Sequence, residues 1–304
     1  MSPMRKFAGH VHVLAALAML GGLAACSLAP APTPTPAFDV SQLGTAVTDI
    51  TYCTPNELPQ KMDIYFPASG GPWPVLLYVH GGSWREGDKA EGEGWRGMND
   101  SGFLVASINY RMAAEGKFPV MIEDVKCAVR YLRAHSAELN IDPDRIGAIG
   151  ASAGGHLVAL LGLAGPEAGW DEGEYADFSS GVQAVLSMAG LSDFTAEMPG
   201  GINSSIYYAF GKLAGDDAPQ NVAASPVSYI TADAPPFLII HGDNDGVVPV
   251  EQSEILHGRL TAAGVPSQLI IVQDGDHGLQ GPNATPTQEE ISAAISAFLE
   301  ENLK

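Results

Sequence analysis

The chain has 304 residues, with 15 Lys+Arg against 35 Asp+Glu and a formal net charge of -20. Such acidity repels phosphate backbones and leaves no basic stripe along any predicted helix, so nucleic acid is excluded as an expected partner; solubility outside the cytoplasm is the plainer reading of the charge. A hydrophobic content of 46%, interrupted by Gly, Pro and Asp clusters, excludes the disordered and collagen-like classes and fits one large domain with a sizeable core.

At the start, "MSPMRKFAGHVHVLAALAMLGGLAACS" sets Arg5 and Lys6 before an apolar segment too short and too rich in small residues for a spanning helix. Residues 1–25 therefore read as an export signal. Leu23, Ala24, Ala25 and Cys26 resemble the lipobox of a bacterial lipoprotein signal. That resemblance implies cleavage before Cys26, lipidation of its thiol, and a chain attached to the cell envelope through this anchor alone. Ser27 then favours outer-membrane sorting where the host has such a membrane. The alternative is an ordinary secretory signal and a freely secreted protein. Residues 26–43, with "SLAPAPTPTPAFD", form an extended tether, since alternating prolines cannot build a packed core. With Cys26 given to lipid, Cys53 and Cys127 remain, and two cysteines in an exported protein favour a disulfide over two buried free thiols.

From Gly44 the pattern changes. "TAVTDITY" and "QKMDIYFP" alternate apolar and polar positions, like antiparallel edge strands. "PVLLYVH", "GFLVASINY", "RIGAIGAS", "VQAVLSMAG", "PFLIIHG" and "SQLIIVQ" are solid runs without a wet face, as parallel strands covered on both sides require. Between them, "PVMIEDVKCAVRYLRAHSAEL", "AGGHLVALLGLA", "EQSEILHGRLTAAG" and "TQEEISAAISAFLEENL" read as helices. In the first, Val120, Val125, Ala128, Val129 and Leu132 recur at helical spacing, and Pro119 suits its first turn. This order predicts an α/β fold over 44–304, a mostly parallel, doubly wound sheet with antiparallel N-terminal strands. Residues 194–224 are too long for an ordinary connection and read as an inserted, lid-like segment. Its aromatics Phe194, Tyr207, Tyr208 and Phe210 either line a cleft or pack the insertion onto the body.

Gly150-Ala151-Ser152-Ala153-Gly154 fits G-x-S-x-G. A shuffled chain of this composition would hold roughly 0.3 such strings, so the context carries the weight. Here the string ends a strand and opens a helix, the setting of a nucleophile elbow, with Gly150 and Gly154 allowing strand and helix to approach. A serine hydroxyl needs a base, and His277 in "VQDGDHGLQG", on the loop after the last strand, is the candidate. His135, His156, His257, His80 and His241 read as packing, exposed or strand-end residues. A carboxylate must orient the base: Asp245 in "LIIHGDNDGVVPVEQS" is favoured, Asp193 in "AGLSDFT" competes, and Asp243 suits an Asx turn. The amides of Gly82 and Ser83 in "HGGSW", with that of Ala153, are positioned for an oxyanion hole; otherwise His-Gly-Gly is only a strand-ending turn.

These four ordered motifs, "HGGSW", "GASAGG", "HGDNDGVVP" and "GDHG", resemble those of α/β-hydrolases in the hormone-sensitive-lipase-like esterase group, and within it the small secreted branch of bifunctional acetylxylan/feruloyl esterases. The likeness spans approximately Thr45 to Leu303. It implies nucleophile Ser152, acid Asp245, base His277 and an oxyanion loop at His80-Gly81-Gly82. Where lipase-like members commonly carry a third glycine, this chain has Ser83-Trp84, which makes Trp84 a candidate for shaping the substrate pocket. The expected activity is hydrolysis of short-chain or carbohydrate-linked acetyl or feruloyl esters through an acyl-enzyme, with a small-molecule or carbohydrate ester as substrate and no cofactor or metal required. An arylformamidase-like amidohydrolase, a prolyl-oligopeptidase-like peptidase and a non-catalytic surface-binding homologue are the alternatives. No pattern specifies an oligomeric state.

Overall fold

Five of the six solid apolar runs occupy the middle of a single sheet; the sixth, "SQLIIVQ", forms its far edge and is mostly half-buried, not covered on both faces as expected. The computed structural model describes residues 37–304, so the expected signal, Cys26 and most of the Pro-rich tether lie outside the described residues. The strands are β1 (Ala46–Cys53), β2 (Gln60–Tyr65), β3 (Trp73–Val79), β4 (Leu104–Ile108), β5 (Ile141–Ala151), β6 (Ala184–Met188), β7 (Phe237–Gly242) and β8 (Ser267–Val272). They lie in the order β1-β2-β4-β3-β5-β6-β7-β8. β1 and β2 pair antiparallel with each other, as β2 does with β4; from β4 onward all pairings are parallel. This is the α/β-hydrolase architecture expected from the motifs.

Every residue of β3 is buried, because the strand is central and covered on both faces. Its alternation divides the core: Val75, Leu77 and Val79 enter one apolar cluster, Leu76 and Tyr78 the other. β1 is an edge strand with a mostly exposed or half-buried pattern, which is why its sequence alternates.

Seven helices surround the sheet among the described residues: α1 (Val120–Ala134), α2 (Ser136–Leu139), α3 (Ala153–Leu163), α4 (Gly200–Phe210), α5 (Pro219–Ala224), α6 (Glu251–Ala262) and α7 (Gln288–Leu303). The predicted helix from Pro119 to Leu139 is broken at His135, whose N–H turns back to Tyr131 and Arg133, and Pro119 stands just outside α1 rather than in its first turn. A 3-10 segment, Lys89–Asn99, was not expected. Asp88 and Glu91 form its capping box, and Gly92 is needed because a Cβ there would press on the Ser107 side chain.

One boundary differs from expectation. Phe38, assigned to the tether, already packs on the body, 5.4 Å from Trp73 and 5.7 Å from Phe66 between ring centroids. The 194–224 insertion is ordered as α4 and α5 with flanking loops. Its aromatics divide: Phe194 and Phe210 are buried, whereas Tyr207 and Tyr208 are 58% and 39% exposed. Cys53 at the end of β1 and Cys127 in α1 are disulfide-bonded, with Cα atoms 6.5 Å apart.

Candidate active site

β5 runs directly into α3, and the residue between them, Ser152, has φ 54° and ψ -119°. A non-glycine residue adopts that left-handed backbone at a cost of about 1–3 kcal/mol, which the surroundings must offset. They do so with two bonds: Ser152 N–H donates to the Met188 carbonyl at 2.8 Å, and His156 N–H donates to the Ser152 carbonyl at 3.0 Å. The flanking glycines are sterically required. A Cβ on Gly150 would stand 2.5 Å from the Gly154 carbonyl oxygen, and one on Gly154 would stand 2.6 Å from the His80 carbonyl oxygen. The turn therefore places the Ser152 side chain at the carboxyl end of the sheet, in front of the α3 N-terminus.

The loop after β3 lies against this turn; a Cβ on Gly81 would come within 3.4 Å of Ser152 Cβ. Gly82, Ser83 and Trp84 all have positive φ (93°, 54° and 58°), an unusual run that needs anchoring. Tyr110 supplies it, its hydroxyl 3.1 Å from the His80 carbonyl and 3.3 Å from that of Gly81, with its ring stacked 4.5 Å from the His80 imidazole. Ala113 N–H adds a 2.7 Å bond to the Trp84 carbonyl. Among the described residues, the amides of Gly82, Ser83 and Ala153 donate to no protein acceptor.

β7 ends in the tight Gly242, where a Cβ would collide with the Gly275 and Asp276 carbonyls. The loops after β7 and β8 are joined here. Asn244 N–H donates to the Gly275 carbonyl at 2.9 Å, and Asp243 Oδ1 accepts from Asp274 N–H at 2.7 Å. Asp243 is therefore bonded across to the neighbouring loop rather than within its own. This joining brings His277 to Asp245: Nδ1 donates to Oδ2 at 2.7 Å, with the carboxylate side chain fully buried and the imidazole 29% exposed. His277 bonds only Asp245 among the described residues, and no hydrogen bond yet joins its Nε2 to Ser152 Oγ. Such a bond commonly tightens only when substrate arrives.

Burial alone would raise the Asp245 carboxyl, but His241, His277 and the amides of Val247 and Val248 hold it well below the usual carboxylate range. Asp193 has no histidine partner; its Oδ1 accepts from Thr195 N–H at 2.9 Å and from the Thr195 hydroxyl at 2.5 Å, a turn-capping role. His156 Nε2–H donates to the Ala224 carbonyl, 2.8 Å away, and the residue is fully buried. His135 stacks on Tyr131 at 4.1 Å, and His257 Nδ1 faces Ser267 Oγ at 3.0 Å.

Trp84 requires a correction. Expected to shape the substrate pocket, it is 0% exposed, packed under the insertion 4.9 Å from Phe210 and 5.4 Å from His156 between ring centroids. Its positive φ belongs to a loop anchored from beneath, so the ring is core. Sequence reading also missed Tyr110, whose hydroxyl steadies the loop after β3, and His241, whose Nε2 lies 3.0 Å from Asp245 Oδ2. Tyr110 makes its contact across the fold and carries no local signal; His241 stands only four residues before Asp245, but that spacing in a loop does not show that the two side chains meet.

Among the described residues, no three His, Cys, Asp or Glu side chains converge as a metal site. An apolar cavity of about 350 Å³, lined by Trp95, Met98, Met188, Leu279 and Ile291, adjoins the His277 loop through Gly278. A larger one, about 820 Å³, lies at the opposite end of α3 from Ser152, against Leu161 to Pro166.

A family model described as BD-FAE matches residues 62–260, more than half of the chain. The chain belongs to the BD-FAE family. The matched range holds the strained Ser152 turn, the loop after β3 and Asp245, and ends before His277. Beyond the family model, this BD-FAE chain is similar to Esterase LipQ of Mycobacterium tuberculosis, 32% identical over 238 residues, covering 76% of this chain and 56% of the relative. It is also 35% identical over 190 residues to the probable carboxylic ester hydrolase LipM of the same organism, covering 60% of this chain and 44% of that one. It spans about half the length of these curated relatives. Among solved structures, a truncated carbohydrate esterase from gut microbiota superposes with a TM-score of 0.73 at 29% identity, covering 88% of this chain and 99% of its own. Butyrate-bound esterase Est2 of Thermogutta terrifontis gives 0.67 at 25% identity, covering 86% and 93%.

Proposed function

We propose that this protein is a serine carboxylic-ester hydrolase, with Ser152 as nucleophile, His277 as general base and acid, Asp245 as the carboxylate orienting it, and the Gly82, Ser83 and Ala153 amides as oxyanion donors. The observation that supports this most is the 2.7 Å bond from His277 Nδ1 to the buried Asp245 Oδ2, at the sheet end that carries Ser152. With Nδ1 bound to Asp245, Nε2 holds the lone pair that a base needs. It takes the Ser152 proton as Oγ bonds the acyl carbon, and the carbonyl electrons move onto the oxygen facing the three amides. Collapse breaks the bond to the leaving alcohol, which receives the proton from Nε2. Water then attacks the acyl-enzyme with the same base and restores Ser152.

Short-chain or carbohydrate-linked acetyl or feruloyl esters are the proposed substrates. The likeness to a carbohydrate esterase and to an esterase holding butyrate supports that choice. Replacing Ser152 with Ala should lower p-nitrophenyl acetate turnover by about 10⁴-fold or more while circular dichroism stays unchanged. Undiminished turnover would sink the assignment. Comparing acetyl and feruloyl sugars with N-formyl anilides separates ester hydrolysis from the amidohydrolase alternative.

The proposal extends to location: a lipid on Cys26 holds the enzyme on the cell envelope. Mass analysis of the membrane fraction should find diacylglyceryl on that thiol, and an unmodified, released chain would contradict it.

A further inference from the structure

His241 ends β7 with its side chain wholly buried, four residues before Asp245. Nε2 lies 3.0 Å from Asp245 Oδ2 and 3.1 Å from the Val248 carbonyl oxygen. Both partners are acceptors, so Nε2 carries a proton. Nδ1 lies 2.7 Å from Ser253 Oγ on α6, whose hydroxyl completes the ring by donating to it. Asp245 Oδ2 thus receives two imidazole N–H groups, one from His277 and one from His241, while Oδ1 accepts the amides of Val247 at 2.7 Å and Val248 at 3.0 Å. The other carboxylates around the two loops are engaged elsewhere. Asp243 holds the Asp274 amide, Asp274 the Asn283 side chain, Asp276 the amides of Gly278 and Gln280, and Asp193 holds Thr195.

We propose that His241, braced by Ser253, is a positioning residue that shares Asp245 Oδ2 with His277 and so fixes the carboxylate against which the His277 imidazole is oriented. This rests on the triad reading above. The second donor fixes the carboxylate plane and draws charge from the oxygen that would otherwise stabilise the His277 imidazolium. Removing that donor frees the carboxylate to turn and leaves Oδ2 with more charge to hold the His277 imidazolium.

The test is the pH profile of kcat/KM on p-nitrophenyl acetate with the full chain. In His241→Phe the acid limb should move up by about half to one pH unit and the plateau should fall by about tenfold; His241→Gln, whose amide still offers a donor, should bring the limb back toward wild type. Ser253→Ala should shift the limb in the same direction by less. A limb that stays in place while His241→Phe and His241→Gln lose activity equally, or one that moves to lower pH, overturns the proposal. If the Phe variant does not fold, ¹⁵N-histidine NMR of the wild-type chain decides. His241 Nε2 should give the signal of a ring nitrogen that bears hydrogen, and an unprotonated Nε2 refutes the shared-donor role. Parallel assays of Ser152→Ala and His277→Ala keep the two claims apart: activity retained there overturns the triad and with it this role, whereas activity lost there with an unmoved limb in the His241 variants overturns this role alone.

Discussion

Asp245 and Asp193 each follow a buried strand, yet their first neighbours give them different work. Asp245 accepts four donors and is the only one of the two bonded to a histidine, whereas Asp193 closes a turn on Thr195. Asp245→Asn leaves the shape but puts an amide where His277 must find an acceptor, so kcat/KM should fall by about 10³–10⁴-fold. Asp193→Asn keeps an oxygen for the Thr195 donors and should change kcat/KM by no more than about threefold. Steady-state kinetics of the two variants check this, and comparable losses would remove Asp245 from its proposed role. The distinction is invisible in the chain, where both residues follow apolar runs of similar composition.

At the scale of elements, α3 connects the Ser152 turn to the insertion. His156, in its first turn, reaches the Ala224 carbonyl at the end of α5 and lies edge-on to Trp84, Phe194 and Phe210. Burial lowers its imidazole to about 4, against the opposing effect of the Ala224 bond. The unfolded chain takes up this proton near pH 6.5, the folded chain only near 4. Within that window the unfolded state binds more protons, so the stability present above pH 6.5 is lost as pH falls, by roughly 3 kcal/mol in all. His156→Gln, which keeps a donor for Ala224, should lose less stability than wild type when urea unfolding is compared at about pH 7 and 4.5. Equal losses would rule out His156 as the titrating group. The helix itself is legible in "AGGHLVALLGLA", but its partners in the insertion lie about sixty residues ahead, beyond any local period.

Across the whole molecule, the Cys53–Cys127 bridge joins the antiparallel edge to α1 over a separation of 74 residues. In the loop-entropy account, closing a loop of that length stabilises the fold by about 4 kcal/mol, so the Cys53→Ala/Cys127→Ala double variant should show a corresponding loss in urea unfolding. An unchanged midpoint would show that the bridge is not a source of stability. The sequence by itself determined the strand and helix order, the antiparallel start, the Ser152 turn and the order of the motifs, because apolar period and the steric demand for glycine are written within a few neighbouring residues. Only the tertiary structure decided which aspartate meets His277, that Trp84 is core, and that His241 and Tyr110 serve the site. Those outcomes depend on β7 lying beside β8, on the joining of the loops around Gly242 and Gly275, and on the insertion closing over Trp84. Each is a contact between segments distant in sequence, fixed when apolar faces are buried together and buried polar groups must find partners.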